Sequence, residues 1–225
     1  MSAETRITVG ERVGEVAALL DRPEDAWAIL ALAHGAGAGM RHPFMEAVAG
    51  RLAARGVATL RYQFPYMERG DKRPDPPGVL VAAARAAVAR AAEEGLPVFA
   101  GGKSLGGRMT STAASQGKLG DVQGIVFFGF PLHAPGRRSA ERGGHLGEVA
   151  PPMLFLQGTR DSLADLELLK PVVEGLGSRA TLHVVEGGDH SFHVLKRSGR
   201  TDDEVLDELA DAAAEWMRGI ARGGK

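Results

Sequence analysis

No cysteine occurs among the 225 residues. This absence removes disulfide frameworks, cysteine-ligated zinc, iron–sulfur clusters and every thiol nucleophile, so any covalent mechanism must draw on another side chain. The chain also lacks an excess of charge. Its 27 Lys and Arg stand against 28 Asp and Glu, a formal net charge of -1, which gives no overall attraction to nucleic acid or to an anionic membrane. No apolar run approaches the roughly 20 residues of a membrane-spanning helix. The opening stretch MSAETRITVGERVGEVAALL mixes acidic residues into what would be the apolar core of a secretory signal. A cytoplasmic protein that engages neither nucleic acid nor membrane is therefore expected, and its oligomeric state is left open.

What the chain does contain is an alternation. Short apolar runs at 27–32, 57–60, 98–100, 125–128, 153–156 and 181–185 are separated by longer segments of helical period, the pattern of a parallel sheet with crossover helices. Several runs are apolar at every position, as strands covered on both faces should be. Residues 5–9 and 13–19 can pair as antiparallel strands around Gly10. Phe44, Val48 and Leu52 recur every four residues, as do Leu80, Ala84 and Val88. Further helices are expected from Leu105, from Leu163 and from Thr201. The last opens with a T-x-x-E capping box (Thr201, Glu204) and carries the stripe Val205, Leu209, Ala212 and Trp216. The expected architecture is a three-layer α/β/α sandwich around a mostly parallel sheet, one domain over 1–225, with no room for a large cap.

Two segments fit neither template: 62–77 and 131–152, both rich in Pro, Gly and Arg, and each following a strand. In open α/β sheets ligands bind beyond the carboxyl ends of strands, so these loops are expected to border any site. Arg69, Arg73, Arg137, Arg138 and Arg142 within them have two readings: recognition of a carboxylate or phosphate on a substrate, or solvated loop residues.

The chemical signal is Gly102-Lys103-Ser104-Leu105-Gly106, a G-x-S-x-G placed between a strand and a helix. With 31 Gly and 9 Ser, chance yields roughly 0.17 such motifs in a chain of this composition, so the strand-turn-helix context carries the inference. A plain helix-capping serine is the alternative; the spacing of a phosphate-binding P-loop is absent. A serine hydroxyl needs a base, and the base needs an orienting acid. On such an elbow the chain order is Ser, acid, His. Asp161, in Gly158-Thr-Arg-Asp161, and His190, in Gly187-Gly-Asp-His190, each follow a strand and meet that order. Asp161 can also cap the helix expected from Leu163, inside which Asp165 and Glu167 would lie. His183 falls within a strand and His42 at a helix start. His193 beside His190 raises a metal site, but without further ligand spacing none is assigned, and no cofactor is expected. Lys103, next to the serine, either lowers a neighbouring pKa or points away.

An oxyanion needs donors. The Leu105 amide supplies one, and the small-residue loop His34-Gly-Ala-Gly-Ala-Gly39 supplies another, from Ala36 or alternatively Gly37. His34 shapes this loop rather than acting as a second base.

Together HGAGAG, GKSLGG, GTRD and GDH resemble the α/β-hydrolase fold over nearly the whole chain. The wording GGKSLGGRM, FFGFPLH, LFLQGTRD and GGDHSFH is similar to the small dienelactone-hydrolase-like branch that includes testis-expressed and histone-acetyltransferase-complex-associated proteins. The resemblance implies Ser104 as nucleophile, Asp161 as acid and His190 as base. Dienelactone hydrolases proper use cysteine, so their lactone substrate is not inherited. The expected activity is a serine hydrolase acting on an ester or thioester of a small or exposed acyl group. A non-catalytic scaffold and an acyltransferase are the alternatives.

Overall fold

The computed structural model describes residues 2–223. Eight strands form one sheet: β1 (Ala3–Gly10), β2 (Gly14–Asp21), β3 (Ala28–Ala33), β4 (Val57–Tyr62), β5 (Val98–Lys103), β6 (Ile125–Phe128), β7 (Met153–Gly158) and β8 (Ala180–Val185). Their spatial order is β1-β2-β4-β3-β5-β6-β7-β8. The pairs β1–β2 and β2–β4 are antiparallel and the remaining pairs are parallel. Strands β3, β4, β5 and β7 extend one to three residues beyond the carboxyl ends of the apolar runs, because ladder hydrogen bonds continue where the sequence turns to Arg61, Lys103 or Gln157.

Among the described residues six α-helices cover the sheet: α1 (Pro43–Ala53), α2 (Pro65–Glu68), α3 (Pro77–Ala92), α4 (Leu105–Ser115), α5 (Leu166–Gly175) and α6 (Asp202–Gly223). The period of two along the central strands decides which layer each residue feeds. Ile29, Ala31 and Ala33 of β3 join the core under α3 and α4. Ala28, Leu30 and Leu32 join the opposite core, built with Met45, Val48 and Leu52 of α1 and with Val205, Leu209 and Met217 of α6. This is the expected three-layer sandwich. The α6 stripe is rotated from the expected one: Val205 and Leu209 are buried, but Ala210, Ala213, Ala214 and Met217 carry the buried face, while Ala212 and Trp216 lie only partly covered at its edge. The capping box forms, with Glu204 N–H donating to Thr201 Oγ1 at 3.2 Å and Thr201 N–H donating to Glu204 Oε2 at 2.7 Å.

Both irregular segments contain short structure that their composition hides. Pro65, at an N-terminal position where its missing N–H costs nothing, starts the single turn α2. Residues 129–152 hold two 3₁₀ turns, Glu141–Gly143 and Leu146–Glu148, and no longer helix. Among the described residues, no helix is long and apolar enough to cross a membrane.

The strand order fixes where a site can form. From β3 the chain moves outward to β4, then returns past β3 to β5 and continues the other way. The connections leaving β3 and β5 therefore diverge to opposite sides, and a crevice opens between their carboxyl ends. Ala33 and Gly102 are register partners at that point.

Candidate active site

β5 ends at Lys103 and α4 starts at Leu105, leaving Ser104 alone in the turn at φ 51° and ψ −116°. That backbone conformation is sparsely populated by residues with a side chain, and it is retained where the surroundings enforce it. The flanking glycines allow the enforcement. A Cβ on Gly102 would stand 2.5 Å from the Ala33 carbonyl oxygen, and one on Gly106 would stand 2.6 Å from both the Ala33 and His34 carbonyls. The elbow is thus pressed against the end of β3.

Asp161 follows β7 and His190 follows β8, and both reach the serine. His190 Nδ1–H donates to Asp161 Oδ2 at 2.7 Å, and Ser104 Oγ–H donates to His190 Nε2 at 2.8 Å. The carboxylate on one side requires the proton on Nδ1, which leaves Nε2 as the acceptor for the hydroxyl. The Asp161 side chain is wholly buried, so its oxygens need internal donors. Leu163 N–H donates to Oδ1 at 2.7 Å, and Gln157 Nε2 donates to Oδ2 at 2.5 Å. Gln157 is held in turn by Phe130 N–H, which donates to its Oε1 at 2.9 Å. The sequence reading passed over Gln157, although a fully buried amide inside an otherwise apolar strand, four residues before Asp161, is itself a signal.

One expectation about this segment is corrected. Helix α5 starts at Leu166 rather than Leu163, and its N-cap is Asp165, whose side chain accepts from Glu167 N–H at 2.9 Å. The Asp161 carboxylate closes a local turn onto Leu163 instead, which ends any helix there. Asp165 is therefore not a helix-interior residue; with Glu167 it meets Arg138 at the surface, each at 2.7 Å.

The loop after β3 lies across from the elbow. Among the described residues, the amides of Ala36 and Leu105 have no hydrogen-bond partner, whereas Gly37 N–H is committed to Tyr66 Oη at 2.9 Å. Of the two candidates in this loop, only Ala36 has a free amide. The loop is braced from beneath. His34 is fully buried, donating from Nδ1 to the Gly35 carbonyl at 2.7 Å and accepting at Nε2 from Phe64 N–H at 3.1 Å. Burial lowers its pKa to about 4, so it is neutral. Gln63 Oε1 accepts from Met40 N–H at 2.9 Å, and the buried Arg61, paired with Asp21, donates to the Met40 carbonyl at 3.1 Å.

A cavity of about 390 Å³ opens over Ser104 and His190. Ala36, Ala38, Phe44, Met45 and Leu163 give it an apolar wall, and His42, Lys103 and Ser191 supply polar groups. His42 caps α1, its Nδ1 accepting from Phe44 N–H at 3.2 Å.

The loop arginines lie elsewhere. Arg69 is paired with Asp71 at 3.0 Å and Asp75 at 2.7 Å, and Arg73 lines the same separate surface groove. Arg137 and Arg138 line a groove on the far side of Asp161, and Arg142 donates to the His133 carbonyl. None of the five lines the cavity at Ser104, because nearby acids and carbonyls hold those whose contacts are defined. His193 turns away from His190 to meet Asp202 at 2.7 Å, and among the described residues no three His, Asp or Glu side chains converge as a metal site.

Comparison with known proteins agrees with this architecture. Similar solved structures include a dienelactone hydrolase from Anabaena variabilis (24% identity, 97% of each chain covered, TM-score 0.76). Another is a lidless α/β serine hydrolase from Xanthomonas campestris (21% identity, 96% of this chain and 94% of the other, TM-score 0.74). A third is an α/β serine hydrolase homologue from Coxiella burnetii (22% identity, 93% and 96%, TM-score 0.73). At these identities the likeness establishes the α/β-hydrolase fold. The model of the alpha/beta hydrolase domain family matches residues 26–218, and the chain belongs to that family.

Proposed function

We propose that the protein is a serine hydrolase that cleaves carboxylic esters or thioesters of small or exposed acyl groups, within the dienelactone-hydrolase-like branch but with serine replacing cysteine. The observation that carries this reading is the unbroken chain from Ser104 through His190 to a buried, triply bonded Asp161. His190 Nε2 takes the hydroxyl proton as Ser104 Oγ attacks the acyl carbon. The tetrahedral oxyanion rests on the Leu105 and Ala36 amides, where one such donor is typically worth about 3 kcal/mol in the transition state. Collapse expels the alcohol or thiol with the proton from His190, leaving an acyl-serine. Water, deprotonated by the same nitrogen, then releases the acid and restores Ser104. Asp161 stabilises the imidazolium formed in both halves.

A panel of p-nitrophenyl esters and acyl thioesters, run on the wild type and on Ser104→Ala, tests the reading. Turnover should fall at least about a thousandfold in the variant while the fold is kept. Equal turnover in both proteins overturns the mechanism. Labelling of Ser104 by a fluorophosphonate reports the same nucleophile independently of substrate choice.

A further inference from the structure

Lys103 takes an unusual course for a cation. It is the residue between the first glycine and the serine of the elbow, and its stem passes the loop after β3, where a Cβ on Gly35 would touch Lys103 Cγ at 3.6 Å. Its ammonium ends among groups of the site. Nζ lies 5.8 Å from the ring centre of Phe44 and 5.5 Å from that of Phe192, two rings stacked 5.9 Å apart. A Cβ on Gly129 would meet Lys103 Nζ at 3.1 Å, His190 Nδ1 at 3.5 Å and Asp161 Oδ2 at 3.6 Å, so ammonium, imidazole and carboxylate converge on one glycine. Among the described residues no carboxylate forms an ion pair with Nζ; its hydrogen bond goes to the main-chain carbonyl of His190 at 2.5 Å.

A desolvated ammonium without an ion-pair partner is costly, and the return is visible in what it holds. The turn that carries His190 is tight and strained. Asp189 Oδ1 accepts from Ser191 N–H at 2.8 Å and His193 N–H at 3.0 Å, and Phe192 sits at φ 65°, in the left-handed region that a bulky side chain rarely adopts. Lys103 grips this turn at two points, the His190 carbonyl and the Phe192 ring.

We propose that Lys103 is a positioning residue whose ammonium tethers the His190 turn to the elbow, keeping the imidazole aligned between Asp161 and Ser104. This rests on the serine-hydrolase reading above. The charged groups facing Nζ are Asp161, from the loop after β7, and Asp189, in the turn with His190 after β8; His42, at the start of α1, lines the same cavity. Burial lowers the Lys103 pKa to about 8, the two aspartates only partly opposing it. The charge-assisted bond is therefore present below about pH 8 and weakens as pH rises through that value.

The test measures the rate of fluorophosphonate labelling of Ser104 from about pH 6 to about pH 10 in wild type, Lys103→Met and Lys103→Arg. The low-field proton signal of His190 Nδ1–H is recorded on the same proteins without substrate. Wild-type labelling should fall above about pH 8, as the Lys103 ammonium loses its proton. Lys103→Met should label about 10- to 100-fold more slowly at neutral pH, show no alkaline fall and lose the low-field signal. Lys103→Arg, whose guanidinium stays charged, should show no fall above pH 8 whatever its absolute rate. An alkaline fall that persists in both variants, or Lys103→Met with the wild-type rate and signal, overturns the proposal. Should Lys103→Met fail to fold, the comparison of wild type with Lys103→Arg decides it. If wild-type Ser104 does not label at all, the hydrolase reading fails, and the low-field signal alone then decides the tether: its loss in Lys103→Met supports it and its survival overturns it.

Discussion

At the scale of single residues, the site is held together by side chains that do not line its cavity. His34 is the clearest case. Both ring nitrogens are committed, one to Gly35 and one to Phe64, and the ring is fully buried and neutral with a pKa near 4. In the unfolded chain the same group titrates near 6.5. Its folded pKa is depressed, so its contribution is complete above pH 6.5 and is lost as pH falls toward 4, by on the order of 3 kcal/mol. Urea unfolding of wild type and His34→Gln across that window should show the wild type losing this much more stability than the variant; parallel pH curves would refute the assignment. Legibility differs sharply among such residues. Ser104, Asp161 and His190 are readable because each sits in a short glycine-marked motif just past an apolar run. Gln157 and Lys103 stand out by position, one as an amide in an apolar strand and one beside the serine, but their roles are not readable, because those come from contacts across strands and loops, Gln157 to Phe130 and Lys103 to His190.

At the scale of elements, the loop after β3 and the segment after β4 act as one unit. Tyr66, at the start of the short helix α2, is buried and offers its hydroxyl to Gly37 N–H, while Gln63 and Arg61 hold Met40 at the other end of the loop. Tyr66→Phe removes only the first tie. Because Gly37 is exposed, water replaces the lost acceptor, and stability should change by no more than about 1 kcal/mol. The Ala36 amide next to it should lose its fixed position, lowering kcat about five- to tenfold with KM little changed. A KM effect with unchanged kcat would place Tyr66 in ground-state binding instead. This bracing explains part of what composition hides: residues 62–77 read as an irregular loop, yet Tyr62, Phe64 and Tyr66 are buried and the segment supports the loop after β3. The periodic helices were legible because one apolar face repeats. The start of α5 was not, because Asp161 and Asp165 are both good helix-opening residues, and the pull of His190 and Gln157 on Asp161 decides between them.

At the scale of the whole molecule, strand order puts the elbow and the loop after β3 side by side, and among the described residues nothing large covers them. The longest connection without an α-helix, residues 129–152, forms two 3₁₀ turns and no cap, so the cavity of about 390 Å³ keeps its opening and its largely apolar wall. That volume is near the small end of ligand sites. An acyl chain growing along Phe44, Met45 and Leu163 should gain about 0.8 kcal/mol per buried methylene. Where that burial is realised in the transition state, kcat/KM rises about three- to fourfold per methylene. Across a series of p-nitrophenyl esters from acetate to decanoate, the rise should level off once the cavity is filled, since additional carbons extend into solvent without meeting a cap. A net charge of -1 gives little steering, so the same profile should persist when ionic strength is raised. A steady decline from acetate onward would mean that the acyl group does not occupy this cavity, and would assign it to the leaving group.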